Sequence, residues 1–135
     1  MRIMAIDYGD ARIGLAVSDA TATLCGEAWT INEWNMDSAA RIIAEESKKR
    51  EIGRLVLGNP KNMDGTQGER SEKSREFAEK LRAETGLEVV LWDERRTTVD
   101  AHRILHENGK KMKKHRSVVD AVAASLILEG YLGSL

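Results

Sequence analysis

The sequence predicts an α/β protein built on one mixed five-stranded sheet with helices packed on both faces. Two short apolar segments at the N-terminus have strand-like patterns and are separated by a short glycine-containing linker. Helix-like and strand-like segments then alternate along the chain, which is typical of β-α-β crossovers and parallel strands. The length of 135 residues indicates one domain, spanning residues 1–135.

The strands follow from short apolar segments bounded by turn residues. They are predicted at residues 2–7, 12–18, 26–31, 54–58 and 87–92. In the second segment Ile13, Leu15 and Val17 alternate with smaller residues, as expected for a strand with one face in the core. The linker YGDA contains Gly9, so we expect the first two strands to form an antiparallel hairpin.

The helices follow from apolar residues spaced three and four apart and from residues that cap a helix start. They are predicted over residues 37–50, after a cap at Thr66, from Thr97 or Thr98 to near Gly109, and from Ser117 to about Tyr131. Asp37 or Ser38 is the expected cap of the first helix, and Thr66 with Glu69 matches a capping box. In the second helix, Phe77, Ala78 and Leu81 form the expected apolar side.

Composition places the chain among ordinary globular proteins, with 41% hydrophobic and 32% charged residues. Cys25 is its single cysteine, which permits no internal disulfide and fits a reducing compartment. The sequence shows no signal-peptide pattern and no apolar run long enough to cross a membrane. We therefore expect a cytoplasmic protein without a membrane partner.

Charge is distributed unevenly, although the formal net charge is only −1. Between Arg95 and Arg116, eight Lys or Arg side chains stand against Asp100 and Glu107, a net charge of +6 that leaves −7 on the rest of the chain. A short basic segment of this kind is suited to binding phosphate groups, although it is also compatible with a solvated charged loop.

Acidic side chains occupy the ends of two predicted strands and a position in the last helix. Asp7 ends the first strand, Asp93 and Glu94 end the last strand, and Asp120 lies in the C-terminal helix. If the first strand runs parallel to the last two, Asp7 and the Asp93–Glu94 pair meet at one edge of the sheet, where α/β enzymes place their active sites. The last helix can bring Asp120 to the same edge.

Asp120 is notable because its helical stripe is otherwise apolar, including Ala124, Ile127 and Tyr131. A carboxylate in such a stripe is costly unless it is paired or binds a metal ion. Three convergent carboxylates repel one another, and a divalent cation relieves that repulsion. Oxygen ligands favour Mg²⁺ or Mn²⁺, and two such ions suit phosphodiester cleavage.

Each acid also has a structural explanation. An Asp before a glycine turn, such as Asp7, is commonly a turn residue. Asp120 stands three residues after Ser117, where it can complete a capping box, and an Asp–Glu pair at a strand end is commonly solvated. The functional hypothesis depends on the order of the acids, which lets all of them converge. Asp64 is a further acid that either joins the site or orders a turn.

Basic side chains lie close in sequence to the candidate acids. The predicted nucleic-acid contacts are Arg95, Arg96, Lys110, Lys111, Lys113, Lys114 and Arg116. Residues 58–68 lead from a strand into a helix and offer an anion-binding turn, but they lack the Walker pattern. Cations for phosphates and acids for metals are the combination that a nuclease needs.

Other chemistry-bearing residues have simpler explanations. His102 and His106 are four apart, but no matching zinc-ligand set accompanies them, which favours a surface role or a phosphate contact. Cys25 is expected to be a buried small residue rather than a nucleophile. The tryptophans, Trp29, Trp34 and Trp92, are expected mainly in the core.

Four ordered motifs then resemble the YqgF family. They are IDYGDARIGLAVSD, GNPKNMDGTQG, WDERRTT and VVDAVAASLILEGYL, and they span nearly the whole chain. Members are described as pre-16S rRNA nucleases or as Holliday junction resolvases. The resemblance implies a ribonuclease H-like fold and metal-dependent cleavage in maturation of the 5′ end of 16S rRNA, with pre-ribosomal particles as further partners. It assigns catalysis and metal binding to Asp7, Glu94 and Asp120, with Asp93 as a further candidate.

The chain departs from the family pattern at Asn59, where GLP is expected, and at Arg96, where Leu is expected. Neither change removes an acid. Three alternatives stay open: a resolvase of branched DNA, a non-catalytic RNA-binding assembly factor, and an actin-like ATPase or sugar kinase, which share the core but need two such domains. Monomer and homodimer are both compatible with the sequence.

Overall fold

Five strands form one mixed sheet in a computed structural model that describes residues 1–9, 12–22, 25–33, 35–59, 69–93 and 116–135. The strands are β1 (Arg2–Tyr8), β2 (Ile13–Ser18), β3 (Cys25–Ile31), β4 (Ile52–Asn59) and β5 (Glu88–Asp93). The helices within these ranges are α1 (Met36–Lys49), α2 (Glu69–Thr85) and α3 (Arg116–Gly133). The predicted helix ending near Gly109 lies outside the described residues.

The sheet has the order β3-β2-β1-β4-β5. β1 pairs antiparallel with β2 and β2 pairs antiparallel with β3, whereas β4 runs parallel to both β1 and β5. At the hairpin, Gly9 donates its N–H to the carbonyl of Arg12 at 3.1 Å. A Cβ on Gly9 would lie 2.6 Å from that carbonyl oxygen, so the turn requires glycine. The predicted mixed sheet and hairpin are confirmed.

Helices cover both faces of the sheet, as predicted. α1 and α2 enclose one apolar layer, whose buried members include Ile6, Leu57 and Phe77. α3 encloses the other layer with Ala5 and Val56. The predicted apolar side of α2 is confirmed, because Phe77, Ala78 and Leu81 are completely buried.

The start of α1 differs from the prediction. Asn35, rather than Asp37 or Ser38, is the N-cap, and its Oδ1 accepts a hydrogen bond from the Ser38 N–H at 3.0 Å. An extended residue with an amide oxygen satisfies the first-turn N–H groups, so the helix begins at Met36. Asp37 lies in the first turn and pairs with Lys80 of α2 at 2.6 Å.

The last helix already includes Arg116, one residue before the predicted start at Ser117. Among the described residues, no helix combines the length and apolar character needed to cross a bilayer.

Replacing Leu128 with alanine tests the packing of α3. Leu128 is fully buried in the α3 layer, so Leu128→Ala is expected to lower the free energy of unfolding by about 2–5 kcal/mol through lost burial and a cavity. Urea denaturation measures the change. Leu132→Ala, the same substitution at a half-buried position of the same helix, is the control and should cost clearly less. Equal losses would contradict the observed packing.

The Asp37–Lys80 pair predicts a pH-dependent contribution to stability. The hydrogen bond from Lys80 holds the pKa of Asp37 below its ordinary 3.8, so the stabilisation is present above that value and is lost as pH falls through the lowered pKa. Lys80→Met should therefore lower Tm slightly at pH 7 in low salt, and the difference from wild type should vanish in acid.

Asp37→Asn is the companion variant, because it also weakens the favourable interaction of Asp37 with the N-terminus of α1. It should cost at least as much as Lys80→Met at pH 7. A Tm difference for Lys80→Met that persists unchanged well below pH 3.8 would show that the side chain acts through packing instead of charge.

Candidate active site

Asp7 lies near the carboxyl end of β1, and its neighbours determine which face it occupies. Ile6 belongs to the apolar layer under α1 and α2, and the ring of Tyr8 stacks on Phe77 of α2 with centroids 4.6 Å apart. Because side chains alternate along a strand, Asp7 lies on the opposite face, with Ala5 and α3. The carboxylate is half-buried there.

Both strand neighbours of Asp7 on this face are glycines. Gly14 of β2 is its paired residue, and Gly58 of β4 follows Leu57, the partner of Ile6, by one step of the parallel register. Neither glycine adds a side chain beside the carboxylate. The sequence contained this feature as a glycine at each neighbouring position, but its meaning depends on strand register.

The expected convergence of strand ends is present in the described residues. β1, β4 and β5 run parallel, so Asp7, Asn59 and Asp93 all lie at the same edge of the sheet. Asp93 nevertheless occupies the other face, because the preceding Trp92 packs in the α3 layer. This alternation argues against Asp93 as a partner of Asp7 in one metal site.

Residue 120 lies in the helix that covers the face of Asp7. It stands four positions before Ala124 and seven before Ile127, both of which are buried against the sheet. Its backbone therefore lies on the sheet-facing stripe of α3, as predicted from the sequence. α3 packs on β1, β2, β3 and β4, so Asp7 lies on the face of the sheet that is covered by the helix containing residue 120.

The C-terminal part of α3 is fixed to the sheet by Tyr131. The Tyr131 hydroxyl accepts a hydrogen bond from Nη1 of Arg54 at 2.8 Å, and its ring meets Trp92 edge-on with centroids 5.7 Å apart. Arg54 also pairs with Glu88 at 3.1 Å. These contacts, the Tyr131 hydrogen bond first, raise the pKa of Arg54 above its ordinary value, and the guanidinium remains charged.

Sequence reasoning missed a polar pair at the same edge. Asn59, the last residue of β4, accepts a hydrogen bond from the Ser71 hydroxyl of α2 at 2.7 Å through its Oδ1. Both residues are buried, Asn59 being 5% exposed and Ser71 fully covered. The partners are 12 residues apart in the chain, so no local pattern announces the contact.

Several predicted site residues lie outside the described part of the chain. These are Asp64, Glu94, Arg95, Arg96, His102, His106, Lys110, Lys111, Lys113 and Lys114. Arg116 is the first residue of α3. The described residues alone contain no group of three or more acids, histidines or cysteines that could hold a metal ion.

The structure confirms only part of what the sequence predicted for the tryptophans and for Cys25. Trp92 is a core residue, as expected. Trp29 is half-buried and packs against the core, with the guanidinium of Arg50 4.2 Å from its ring centroid. Trp34 lies outside the described residues. Cys25 was expected to be buried but is half-buried, with its Sγ 3.7 Å from the Ser125 hydroxyl, because it lies at the start of the edge strand β3.

Comparison with known proteins identifies the family. The profile of the RuvX family, described as Holliday junction resolvase, matches residues 1–134. A protein of Halothermothrix orenii, provisionally named as a pre-16S rRNA nuclease, is 42% identical over 98% of this chain and 94% of its own length. A relative from Acetivibrio thermocellus with the same name is 44% identical over 99% of this chain and 96% of its own length.

A solved structure supports the fold. Thermus thermophilus RuvC, determined with a Holliday junction substrate, superposes with a TM-score of 0.64 over 99% of this chain and 96% of that chain, at 12% sequence identity. At this identity the likeness establishes the fold, which confirms the predicted ribonuclease H-like architecture.

The relatives are named as nucleases, so nucleic acid is the class of partner that the comparisons support. The profile match over nearly the whole chain also favours the predicted enzyme over a non-catalytic binding module or a two-domain ATPase. From the four ordered motifs, the ribonuclease H-like sheet and these full-length relatives, we conclude that the chain belongs to the RuvX (YqgF) family and is a nuclease.

Proposed function

We propose that this nuclease hydrolyses a phosphodiester bond in precursor 16S rRNA during maturation of its 5′ end, using Mg²⁺ or Mn²⁺ held by Asp7, Glu94 and Asp120. One observation carries the proposal: Asp7 lies at the carboxyl edge of the parallel strands, on the face covered by α3, between two glycines. Glu94 is the next residue in the chain after β5, which ends at Asp93, and residue 120 belongs to α3, the helix that covers this face.

The donor set fits a hard divalent cation. Carboxylate oxygens are the ligands that Mg²⁺ and Mn²⁺ prefer, and Asp7 supplies one carboxylate from a rigid strand instead of a loop. When bound, such ions stabilise charge on the attacking and leaving oxygens of a phosphodiester. Asp7 is half-buried, so part of the residue remains exposed to solvent.

The basic residues are assigned to the phosphate backbone. The proposed contacts are Arg95, Arg96, Lys110, Lys111, Lys113, Lys114 and Arg116, within the segment of net charge +6. Because the rest of the chain carries −7, this segment supplies the main attraction for a polyanion. Cleavage should accordingly weaken as ionic strength rises.

RNA is proposed as the substrate because both full-length relatives carry a pre-16S rRNA nuclease name. Branched DNA is the second candidate, favoured by the description of the matching family as Holliday junction resolvase. The proposal further places the chain in the cytoplasm, as a single domain over residues 1–135, acting on pre-ribosomal particles. A processing ribonuclease can act as a monomer, whereas symmetric cleavage of a junction requires a dimer.

Replacing Asp7 with asparagine tests the metal site. Asn keeps the shape of the side chain but removes the negative charge that holds a divalent cation, so Asp7→Asn should reduce cleavage by about 100-fold or more. The measurement is single-turnover cleavage of labelled RNA with Mg²⁺ or Mn²⁺, with circular dichroism confirming the fold.

Two variants control this experiment. Asp19→Asn makes the same change beyond the end of β2, at the opposite edge, and should cleave like wild type. Asp93→Asn makes it at the same edge but on the other face, and should lose less than about tenfold. Cleavage by purified Asp7→Asn at the wild-type rate would refute the proposed site.

A panel of substrates tests the choice between RNA and DNA. The panel contains a precursor 16S rRNA fragment, single-stranded RNA, duplex DNA and a four-way DNA junction, each with Mg²⁺ and with Mn²⁺. The precursor fragment should be cut fastest, and size-exclusion chromatography should give the oligomeric state of the active species. Paired symmetric cuts in the junction by a dimer, with the RNA left intact, would replace the proposal by the resolvase candidate.

A further inference from the structure

The hydrogen bond between Asn59 and Ser71 is a buried polar contact at the carboxyl edge of the sheet. The donor and acceptor are 2.7 Å apart, and neither residue is more than 5% exposed. A buried acceptor that loses its donor keeps the cost of its desolvation, so the bond holds the two residues together strongly. It therefore links the last residue of β4 to the first turns of α2.

Asn59 is also the last strand partner of β5. Its Cα partner is Asp93. In the described sheet, β5 is the outermost strand and β4 is its neighbour. Glu94, a proposed metal ligand, is the next residue in the chain. Any shift of the end of β4 is thus transmitted to the residue that precedes this ligand.

The helix that carries Ser71 is itself held firmly. Phe77, Ala78 and Leu81 of α2 are fully buried, and Phe77 stacks on Tyr8, the residue after Asp7. α2 consequently contacts the ends of two parallel strands, β1 through Phe77 and β4 through Ser71. α2 can therefore hold the ends of both strands in fixed positions relative to each other.

We propose that Asn59 and Ser71 are positioning residues of the nuclease site. Their hydrogen bond fixes the end of β4 against α2, and the Asn59–Asp93 pairing carries this restraint to the end of β5. The relative positions of the ends of β1 and β5, at Asp7 and Asp93, are thereby set by α2. This inference depends on the proposed assignment of Asp7 and Glu94 as metal ligands.

Ser71→Ala removes the donor and leaves the Asn59 oxygen without it. The variant should bind Mn²⁺ about 10-fold more weakly than wild type, the low end of the loss expected when a group that orients metal ligands is removed. Isothermal titration calorimetry with Mn²⁺ and no nucleic acid measures the affinity directly. The Mn²⁺ concentration that gives half-maximal cleavage should rise by the same factor.

Ser74→Ala is the matched control, since Ser74 is also buried, at 2% exposure, and lies in the same helix three residues further from the edge. Its Mn²⁺ affinity should stay within about twofold of wild type. Melting temperatures of both variants in EDTA reveal any general loss of stability. Mn²⁺ affinity of Ser71→Ala equal to wild type, or losses of affinity that follow the melting temperature equally in both variants, would overturn the proposal.

Ser71→Cys serves if Ser71→Ala does not fold, because the thiol is close to the hydroxyl in size but is a weak donor. The same criteria then apply to it. Asp7→Asn separates this inference from the proposed function. If Asp7→Asn binds Mn²⁺ as tightly as wild type, the metal site is wrongly assigned. If Asp7→Asn loses binding while Ser71→Ala and Ser71→Cys retain it, the positioning role alone fails.

Discussion

The alternation of side chains along β1 is the constraint on which the candidate site depends. Ile6 and Tyr8 are both committed to the layer beneath α1 and α2, one by burial and the other by stacking on Phe77. Because Asp7 lies between them in the strand, its side chain must occupy the face that is covered by α3. A slip of one residue would move the carboxylate into an apolar layer and expose its neighbours, so core packing fixes the position of the acid.

The position of α3, the second element of the site, depends on contacts that lie far from the proposed acids. Tyr131 lies eleven positions after Asp120, about 16 Å along the axis of α3, and its contacts with Arg54 and Trp92 tie that end of the helix to β4 and β5. Because a packed helix moves as a rigid element, these contacts influence where its N-terminal part lies. The proposed acids thus depend on interactions remote from the chemistry.

Local sequence patterns were sufficient to predict the helices and strands, but they were not sufficient to predict the contacts between them. Alternation predicted the hairpin strands, and helical spacing predicted the buried side of α2. The pattern predicted Asp37 or Ser38 as the cap of α1, whereas Asn35 takes this position, because all three residues have capping oxygens. It also left Asp93 as a candidate ligand, since only the packing of Trp92 reveals that Asp93 lies on the face opposite to Asp7. The Asn59–Ser71 hydrogen bond could be identified only from the fold, because no local sequence pattern indicates it.

The uneven distribution of charge along the chain explains how an acidic site can approach nucleic acid. Outside residues 95–116 the chain carries a net −7, so the sheet and its acids would repel a phosphate backbone without bound cations and the basic segment. Both attractions act on phosphate, which RNA and DNA share. Discrimination between the two substrates must therefore come from groups that sense the 2′-hydroxyl, the bases or the shape of the nucleic acid. A sheet that superposes on a resolvase at 12% identity is compatible with either choice.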